Sequence, residues 1–255
     1  MPQIAILGGS PAHLKILNDV YQTLQACSNR VIMAVPQNIA NLVGSEAELI
    51  LPASHRGRAD DSHITERLTD ANLIILSPGL SLTSEWHLRL DKIVNEVSRP
   101  LLITEESVDL IATSPELLGD GRSLLILSTE QALRLAGRYA LPVKIRPSRG
   151  IFNKIELIDT LSSHTNAMVV LLDANTLVLG HFTLDTIGLL QSENKDLLAL
   201  RGEVSALLGS FVTQQPTIKK QFEGLMTATY VLYQAIEDQP QSLNQSIRQI
   251  LNKVV

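Results

Sequence analysis

The stretch QIAILGGSPAHLKILNDVYQTLQACSNRVIMAV, residues 3–35, holds the pattern that decides the fold. Two short apolar runs, IAIL and VIMAV, flank a longer segment in which large apolar residues recur at steps of three and four. These residues are Leu14, Leu17, Tyr21 and Leu24. Continuous apolar runs are typical of strands buried on both faces, and the three-four spacing is typical of an amphipathic helix. The stretch therefore predicts a strand, a helix and a second, parallel strand.

The same alternation continues along the chain. Strands are predicted at residues 3–8, 30–35, 48–51, 72–77, 100–104, 123–127, 168–172 and 176–179. Helices are predicted at residues 11–27, 83–98, 128–137, 196–213, 217–237 and 242–254. Ser128 or Thr129 is expected to cap the third of these helices, and Gly137 to end it as a C′ glycine. The last two strands are expected to form a hairpin around residues 173–175. Together these elements predict a single domain over residues 1–255, a three-layer α/β sandwich with a mainly parallel central sheet and helices on both faces.

Composition and charge narrow the function classes. The 255 residues include 21 Lys and Arg against 26 Asp and Glu, a net charge of −5 that disfavours a nucleic acid partner. Cys27 is the single cysteine, so neither an intramolecular disulfide nor an all-cysteine metal site can form. Apolar runs fall short of the roughly 20 residues that span a bilayer, and the N-terminus has no basic segment typical of a signal peptide. We expect a cytoplasmic protein with no membrane partner.

Two glycine-containing turns follow predicted strands. GGS at residues 8–10 precedes a helix whose first turn has unpaired N–H groups, and SPGL at residues 77–80 follows a buried strand. Ligands of open α/β sheets bind at such strand ends. Both segments are also ordinary tight turns, so a ligand contact and a purely structural role remain open for each.

Acidic and histidine residues give weaker signals. TEES at residues 104–107 is interpreted as a solvated turn. In RGEVSALLG, residues 201–209, Glu203 is either a general base or a first-turn acid stabilised by the helix dipole. His55 and His63 lie in a polar stretch that is expected to be a solvated loop, and no spacing of the six histidines predicts a metal site.

Several segments, taken in order, resemble one family. IAILGGS is similar to a first strand and glycine-serine turn, and DANLIILSPGL resembles the pattern D-A-x-x-I-G-P-G-L-G. MVVLLDANTLVL and LRGEVSALLG fall on segments that carry K-G-A and G-T-G-D. The family is that of the ADP- or ATP-dependent NAD(P)H-hydrate dehydratases, a branch of the ribokinase-like superfamily. The resemblance covers residues 3–251 and implies a ribokinase-like sandwich.

The resemblance also implies a set of site residues. Glu203 takes the place of the catalytic aspartate, which handles the proton of the substrate hydroxyl. Residues at nucleotide-binding positions are Gly202, Arg201 and Ala174, and those at substrate-binding positions are Gly9, Ser10, Pro78, Gly79 and Asp109. The implied cofactor is ADP or ATP with Mg²⁺.

Four positions depart from the family pattern. Leu172 replaces the lysine of K-G-A and Asp173 its glycine, which removes a cation and adds an anion where nucleotide phosphate would lie. Leu200 and Arg201 replace the first glycine and the threonine of G-T-G-D, and a side chain at a glycine position tends to fill phosphate space. Two functions therefore remain: a dehydratase or small-molecule kinase with weak or lost nucleotide-dependent activity, and a non-catalytic pseudoenzyme that acts as a binding or assembly scaffold. For both we expect a homo-oligomer with a small-molecule or nucleotide ligand.

Overall fold

The structure is a computed structural model of the whole chain. It describes residues 1–51, 58–76, 79, 84–104, 107–108, 112, 118, 121, 123–143, 150–193, 195–213, 215, 217–237 and 242–254.

A nine-stranded sheet forms the centre of the molecule, in the order β3-β2-β1-β4-β5-β6-β7-β8-β9. Its strands are β1 (Gln3–Leu7), β2 (Arg30–Pro36), β3 (Leu49–Leu51), β4 (Leu73–Leu76), β5 (Leu101–Thr104), β6 (Leu124–Leu127), β7 (Met168–Leu172), β8 (Thr176–Gly180) and β9 (Gly188–Gln191). Strands β1 to β7 are parallel, and β8 and β9 are antiparallel to their neighbours. The mainly parallel sheet and the hairpin around residues 173–175, formed by β7 and β8, are confirmed. These strands are not the last two, because β9 pairs with β8.

Helices cover both faces of the sheet. The described helices are α1 (Leu14–Ala26), α2 (Gln37–Val43), α3 (Arg58–Thr69), α4 (Ser84–Val97), α5 (Thr129–Arg138), α6 (Ile151–Thr165), α7 (Arg201–Val212), α8 (Ile218–Glu237) and α9 (Leu243–Val254). Successive strand residues alternate between two cores. Ile4 and Ile6 pack in the core that includes α1, α2, α7, α8 and α9, whereas Ala5 and Leu7 pack in the core that includes α3 to α6. This alternation produces the predicted three layers.

Two local predictions were wrong. Residues 58–69, which include His63, form the helix α3 rather than a solvated loop, because Ile64 and Leu68 one turn apart are buried against the sheet. Gly137 is not the residue that ends α5. It lies inside the helix, and the left-handed residue that follows the helix is Ala140, with φ of 52°. The predicted cap at the other end is confirmed, since Ser128 and Gln131 form a reciprocal capping box.

Candidate functional site

The chain reverses its direction across the sheet between β1 and β4. From β1 it proceeds outward to β2 and β3, then returns to place β4 on the other side of β1. Connections that leave the carboxyl ends of β1 and β4 therefore diverge, and open α/β sheets bind ligands in the crevice that this divergence creates. GGS follows β1 and Gly79 follows β4, so the structure places both glycine turns at this crevice.

The two turns contact each other closely. A Cβ on Gly79, whose φ is +92°, would lie 2.6 Å from the backbone nitrogen of Ser10. A Cβ on Gly9, with φ of +108°, would lie 2.6 Å from Cδ1 of Ile39 and 2.9 Å from Cδ2 of Leu17. The positive φ of both residues favours glycine, and at Gly79 an added Cβ would also collide with the backbone of Ser10. The Ser10 hydroxyl lies 2.8 Å from Nδ1 of His13.

Three of the predicted substrate-binding residues, Gly9, Ser10 and Gly79, are thus brought together. The other two, Pro78 and Asp109, lie outside the described residues.

A cavity lies beside this crevice, between the sheet, α1 and the N-terminus of α7. Its volume is about 20 Å³, which is room for about one water molecule. Most of its described lining is apolar, contributed by Ile16, Val20, Ile75, Ile126, Leu172 and Leu198. The structure therefore places one of the predicted strand-end residues, Leu172, in the wall of this cavity.

Polar groups of the cavity come from α7 and from the ends of β5 and β6. Among the described lining residues, Arg201 contributes the one positive charge. Ser205, one turn further along α7, is 3% exposed. Thr104 at the end of β5 donates its hydroxyl to the Leu76 carbonyl at 3.3 Å, and Ser128 follows β6. This lining suits a compact, largely apolar ligand with one polar or negatively charged group.

Gly202 belongs to the cavity but packs tightly against α1. A Cβ at this position would lie 3.0 Å from Cβ of Asp19 and 3.1 Å from the Ile16 carbonyl oxygen. The helix α1 therefore covers the turn of α7 that carries Gly202. Of the described α7 residues, Arg201, Gly202 and Ser205 line the cavity, and Glu203 is not among them.

Glu203 lies toward α1, within the electrostatic influence of Asp19 and Lys15. Burial raises the pKa of its carboxyl, and Asp19 raises it further, against the opposing effects of its own backbone N–H and of Lys15. Its Oε2 atom is buried and accepts no hydrogen bond, while Lys15 pairs with Asp19 at 2.8 Å. A carboxyl with a raised pKa is a candidate for proton transfer, although this one faces a helix rather than the described cavity wall.

Asp173 is the most fully bonded charged group at the strand ends. One oxygen accepts from the Thr129 backbone nitrogen at 3.0 Å, and the other accepts from the Thr129 hydroxyl at 2.6 Å and pairs with Lys154 Nζ at 2.6 Å. Lys154 also donates to the Thr176 hydroxyl. Burial alone would raise the pKa of Asp173, but Lys154 and Thr129 together hold it below its usual value.

The hairpin turn that carries Asp173 is tied to the segment that leads into α7. The backbone N–H of Leu197 donates to the Ala174 carbonyl at 2.6 Å. The backbone N–H of Ser192 donates to the Asn175 carbonyl at 2.9 Å. Ala174 itself is exposed. Because of these bonds, Ala174 lies near the start of α7, and thus in the same region as the predicted nucleotide-binding residues Arg201 and Gly202.

The sequence did not predict the roles of Lys154, Thr129 and Ser205. Lys154 lies on α6, a helix that the pattern did not reveal, and its partner Asp173 is on another element. The sequence around Thr129 indicates a helix cap and gives no signal for a side-chain partner on another element. Ser205 lies within a run of small and apolar residues that carries no signal for a site.

The described residues do not fit ADP or ATP. Leu172 offers no positive charge, and Asp173 adds a negative one beside it. A polyphosphate would therefore find no cation at position 172, and the nearby Lys154 is already paired with Asp173.

Solved structures of similar fold include a ribokinase-like superfamily protein from Enterococcus faecalis, with a TM-score of 0.68 at 13% identity, covering 99% of this chain and 86% of that one. The fold is ribokinase-like. Hydroxyethylthiazole kinase from Pyrococcus horikoshii matches with a TM-score of 0.64 at 17% identity, over 99% of this chain and 88% of that one. An ADP complex of Bacillus subtilis pyridoxal kinase matches with a TM-score of 0.58 at 14% identity, over 94% of this chain and 93% of that one.

These likenesses concern the ribokinase-like fold, since the sequence identities are low. No family model matches the chain, and no curated protein matches its sequence. Within the part of the chain that the structure describes, no helix combines the length and the apolar character needed to cross a membrane.

Proposed function

We propose that this ribokinase-like protein binds a small molecule at the N-terminus of α7 and that its nucleotide-dependent activity is weak or lost. The observation that carries the proposal is the cavity itself, which has a volume of about 20 Å³ and a mainly apolar lining. It lies where the strand ends meet a helix N-terminus, a position that favours ligand binding.

The ligand that suits this lining is compact. Arg201 offers a guanidinium group and Ser205 a buried hydroxyl, and the remaining wall is aliphatic. A small molecule with an apolar body and one negatively charged group satisfies all three features. Its entry requires the lining side chains to move apart, because the space of about 20 Å³ admits about one water molecule. In this view the protein is a pseudoenzyme that retains the fold and uses it for binding or assembly.

A dehydratase or small-molecule kinase of low activity is the second candidate, and one observation favours it. The raised pKa of Glu203 makes its carboxylate a stronger proton acceptor than an ordinary glutamate, and its Oε2 atom has no hydrogen-bond partner that would fix it in place. For this function Glu203 would have to reach a substrate hydroxyl, which requires α1 to move away from α7.

Turnover of hydrated NADH separates the two candidates. The purified chain is incubated with hydrated NADH, Mg²⁺ and either ADP or ATP, and the recovery of NADH is followed by absorbance. We expect recovery at the spontaneous rate. Nucleotide-dependent recovery that disappears in Glu203→Gln and persists in the matched variant Glu223→Gln, an exposed glutamate of α8, would contradict the proposal and favour the enzyme.

A further inference from the structure

Four side chains form a cluster where α5, α6 and the β7–β8 hairpin meet. We call Thr129, Lys154, Asp173 and Thr176 the Asp173 cluster. Its centre is the Asp173 carboxylate, which is held by a backbone N–H, a hydroxyl and an ammonium group at 3.0, 2.6 and 2.6 Å. The side chains of Lys154 and Asp173 are only 19% and 27% exposed. The pair is therefore partly shielded from water, which strengthens its attraction.

The groups around this carboxylate are those that bind anions in general. Thr129 is the first residue of α5, so its N–H lies at the positive end of a ten-residue helix. Lys154 supplies a full positive charge, and the Thr129 hydroxyl supplies a further donor. A helix start, a lysine and a hydroxyl that converge on one negatively charged group make a complete anion site, and here the bound anion belongs to the chain itself.

We propose that Thr129 and Lys154 form an anion-binding site that the chain's own Asp173 fills, and that this site takes inorganic phosphate once the carboxylate is removed. The residues immediately before Thr129 and Asp173, which are Ser128 and Leu172, line the cavity described above. An anion in the site would therefore lie at the edge of that cavity. The inference rests on the proposed function in one respect, because Asp173 already occupies the donors that a nucleotide phosphate would need.

Phosphate titration calorimetry at constant ionic strength tests the proposal. Asp173→Gly removes the carboxylate and keeps the backbone of the turn, in which the nitrogen of residue 173 donates to the Thr176 carbonyl. We expect this variant to bind inorganic phosphate at least about tenfold more tightly than the wild type, the gain expected from one charge-assisted hydrogen bond. Adding Lys154→Met should return the affinity to the wild-type level.

Two further variants keep the test decisive. Asp196→Asn is the matched control, since Asp196 also accepts two backbone N–H groups, from Leu198 and Ala199, and its loss changes the net charge equally. Asp173→Asn retains the side-chain volume and replaces Asp173→Gly if the glycine variant does not fold. The proposal is overturned if folded Asp173 variants bind phosphate within about twofold of the wild-type affinity. It is also overturned if Asp196→Asn gains as much phosphate affinity as they do. A gain in phosphate affinity that persists after Lys154→Met is added would overturn it as well.

The outcome also separates this inference from the proposed function. Tight binding of ADP by the wild type would contradict the proposed function and leave the phosphate comparison to decide the inference. A wild type that binds neither ADP nor phosphate, together with an Asp173→Gly variant that binds no phosphate, would overturn the inference alone.

Discussion

At the scale of single residues, Glu203 connects stability with function. Its pKa is raised by burial, so its ionisation costs the folded state free energy once the pH rises above the unfolded value of 4.5. Glu203→Gln should therefore raise the free energy of unfolding at pH 7 and leave it nearly unchanged at about pH 4. Urea denaturation at both pH values measures the difference.

The same substitution tests the catalytic role. A general base contributes about 10²-fold or more, so nucleotide-dependent turnover should fall at least that far in Glu203→Gln if the carboxylate acts as one. A variant that is more stable at neutral pH and shows no activity to lose indicates a buried first-turn acid. A destabilised variant would mean that the carboxylate makes a favourable contact in the fold.

His181 should make the fold sensitive to mild acid. The ring is 1% exposed at the end of β8, where Nδ1 lies 2.8 Å from the Thr183 hydroxyl. Burial lowers its pKa below 6.5, although the Asn166 backbone carbonyl favours the protonated ring. Because the unfolded chain takes up this proton more readily, stability should fall as the pH drops through about 6.5.

The variant His181→Asn measures that contribution. Asparagine retains an acceptor for the Thr183 backbone N–H, which donates to Nδ1 at 3.2 Å, and it cannot be protonated in this range. The loss of unfolding free energy between about pH 7.5 and pH 5 should be smaller in the variant than in the wild type. Equal losses in the two proteins would assign the acid sensitivity to other groups.

At the scale of elements, two glycines give opposite predictions. Gly9→Ala forces a Cβ to within 2.6 Å of Ile39 at a φ of +108°, so we expect a loss of about 2 kcal/mol or more in unfolding free energy. Gly137→Ala, inside α5 with no atom within 4 Å of its added Cβ, should gain about 0.5–1 kcal/mol. Thermal and urea unfolding of both variants provide the comparison, and a neutral Gly9→Ala would contradict the packing of the first turn.

The elements that the sequence predicted share a clear pattern. Strands such as β4 and β7 are apolar at every position because helices cover both their faces, and this burial is visible in the sequence itself. The helix α6 was missed because three polar residues, Asn153, Ser162 and Thr165, occupy buried positions and interrupt its apolar face. The strand β9 was missed because it is a four-residue edge strand, buried only at alternate positions.

The candidate site was only partly predictable for a related reason. The resemblance located Gly9, Ser10, Gly79 and the α7 residues along the chain, and the structure brings the first three together. It carried no information on what each side chain contacts. The proximity of Glu203 to Asp19 and the pairing of Asp173 with Lys154 depend on how helices pack, which a linear motif does not encode.

At the scale of the whole molecule, self-association remains a prediction. The helix α8 exposes Met226, Tyr230 and Tyr233 at steps of four and three, with Tyr230 61% exposed. Large apolar and aromatic side chains on one helix face favour a symmetric contact between two copies. Light scattering at about 50 μM should show a homo-oligomer, and Tyr230→Ser should shift it toward the monomer. A strict monomer at that concentration would contradict this prediction.

We propose that this ribokinase-like chain binds nucleotides weakly or not at all. The most direct test is the melting temperature of the wild-type protein with and without ADP or ATP, each with Mg²⁺. A ligand stabilises the folded state by RT ln(1 + [L]/Kd), so about millimolar nucleotide should shift the melting temperature by less than about 1 °C if binding is weaker than that concentration. A rise of several degrees would contradict the account and establish a working nucleotide site.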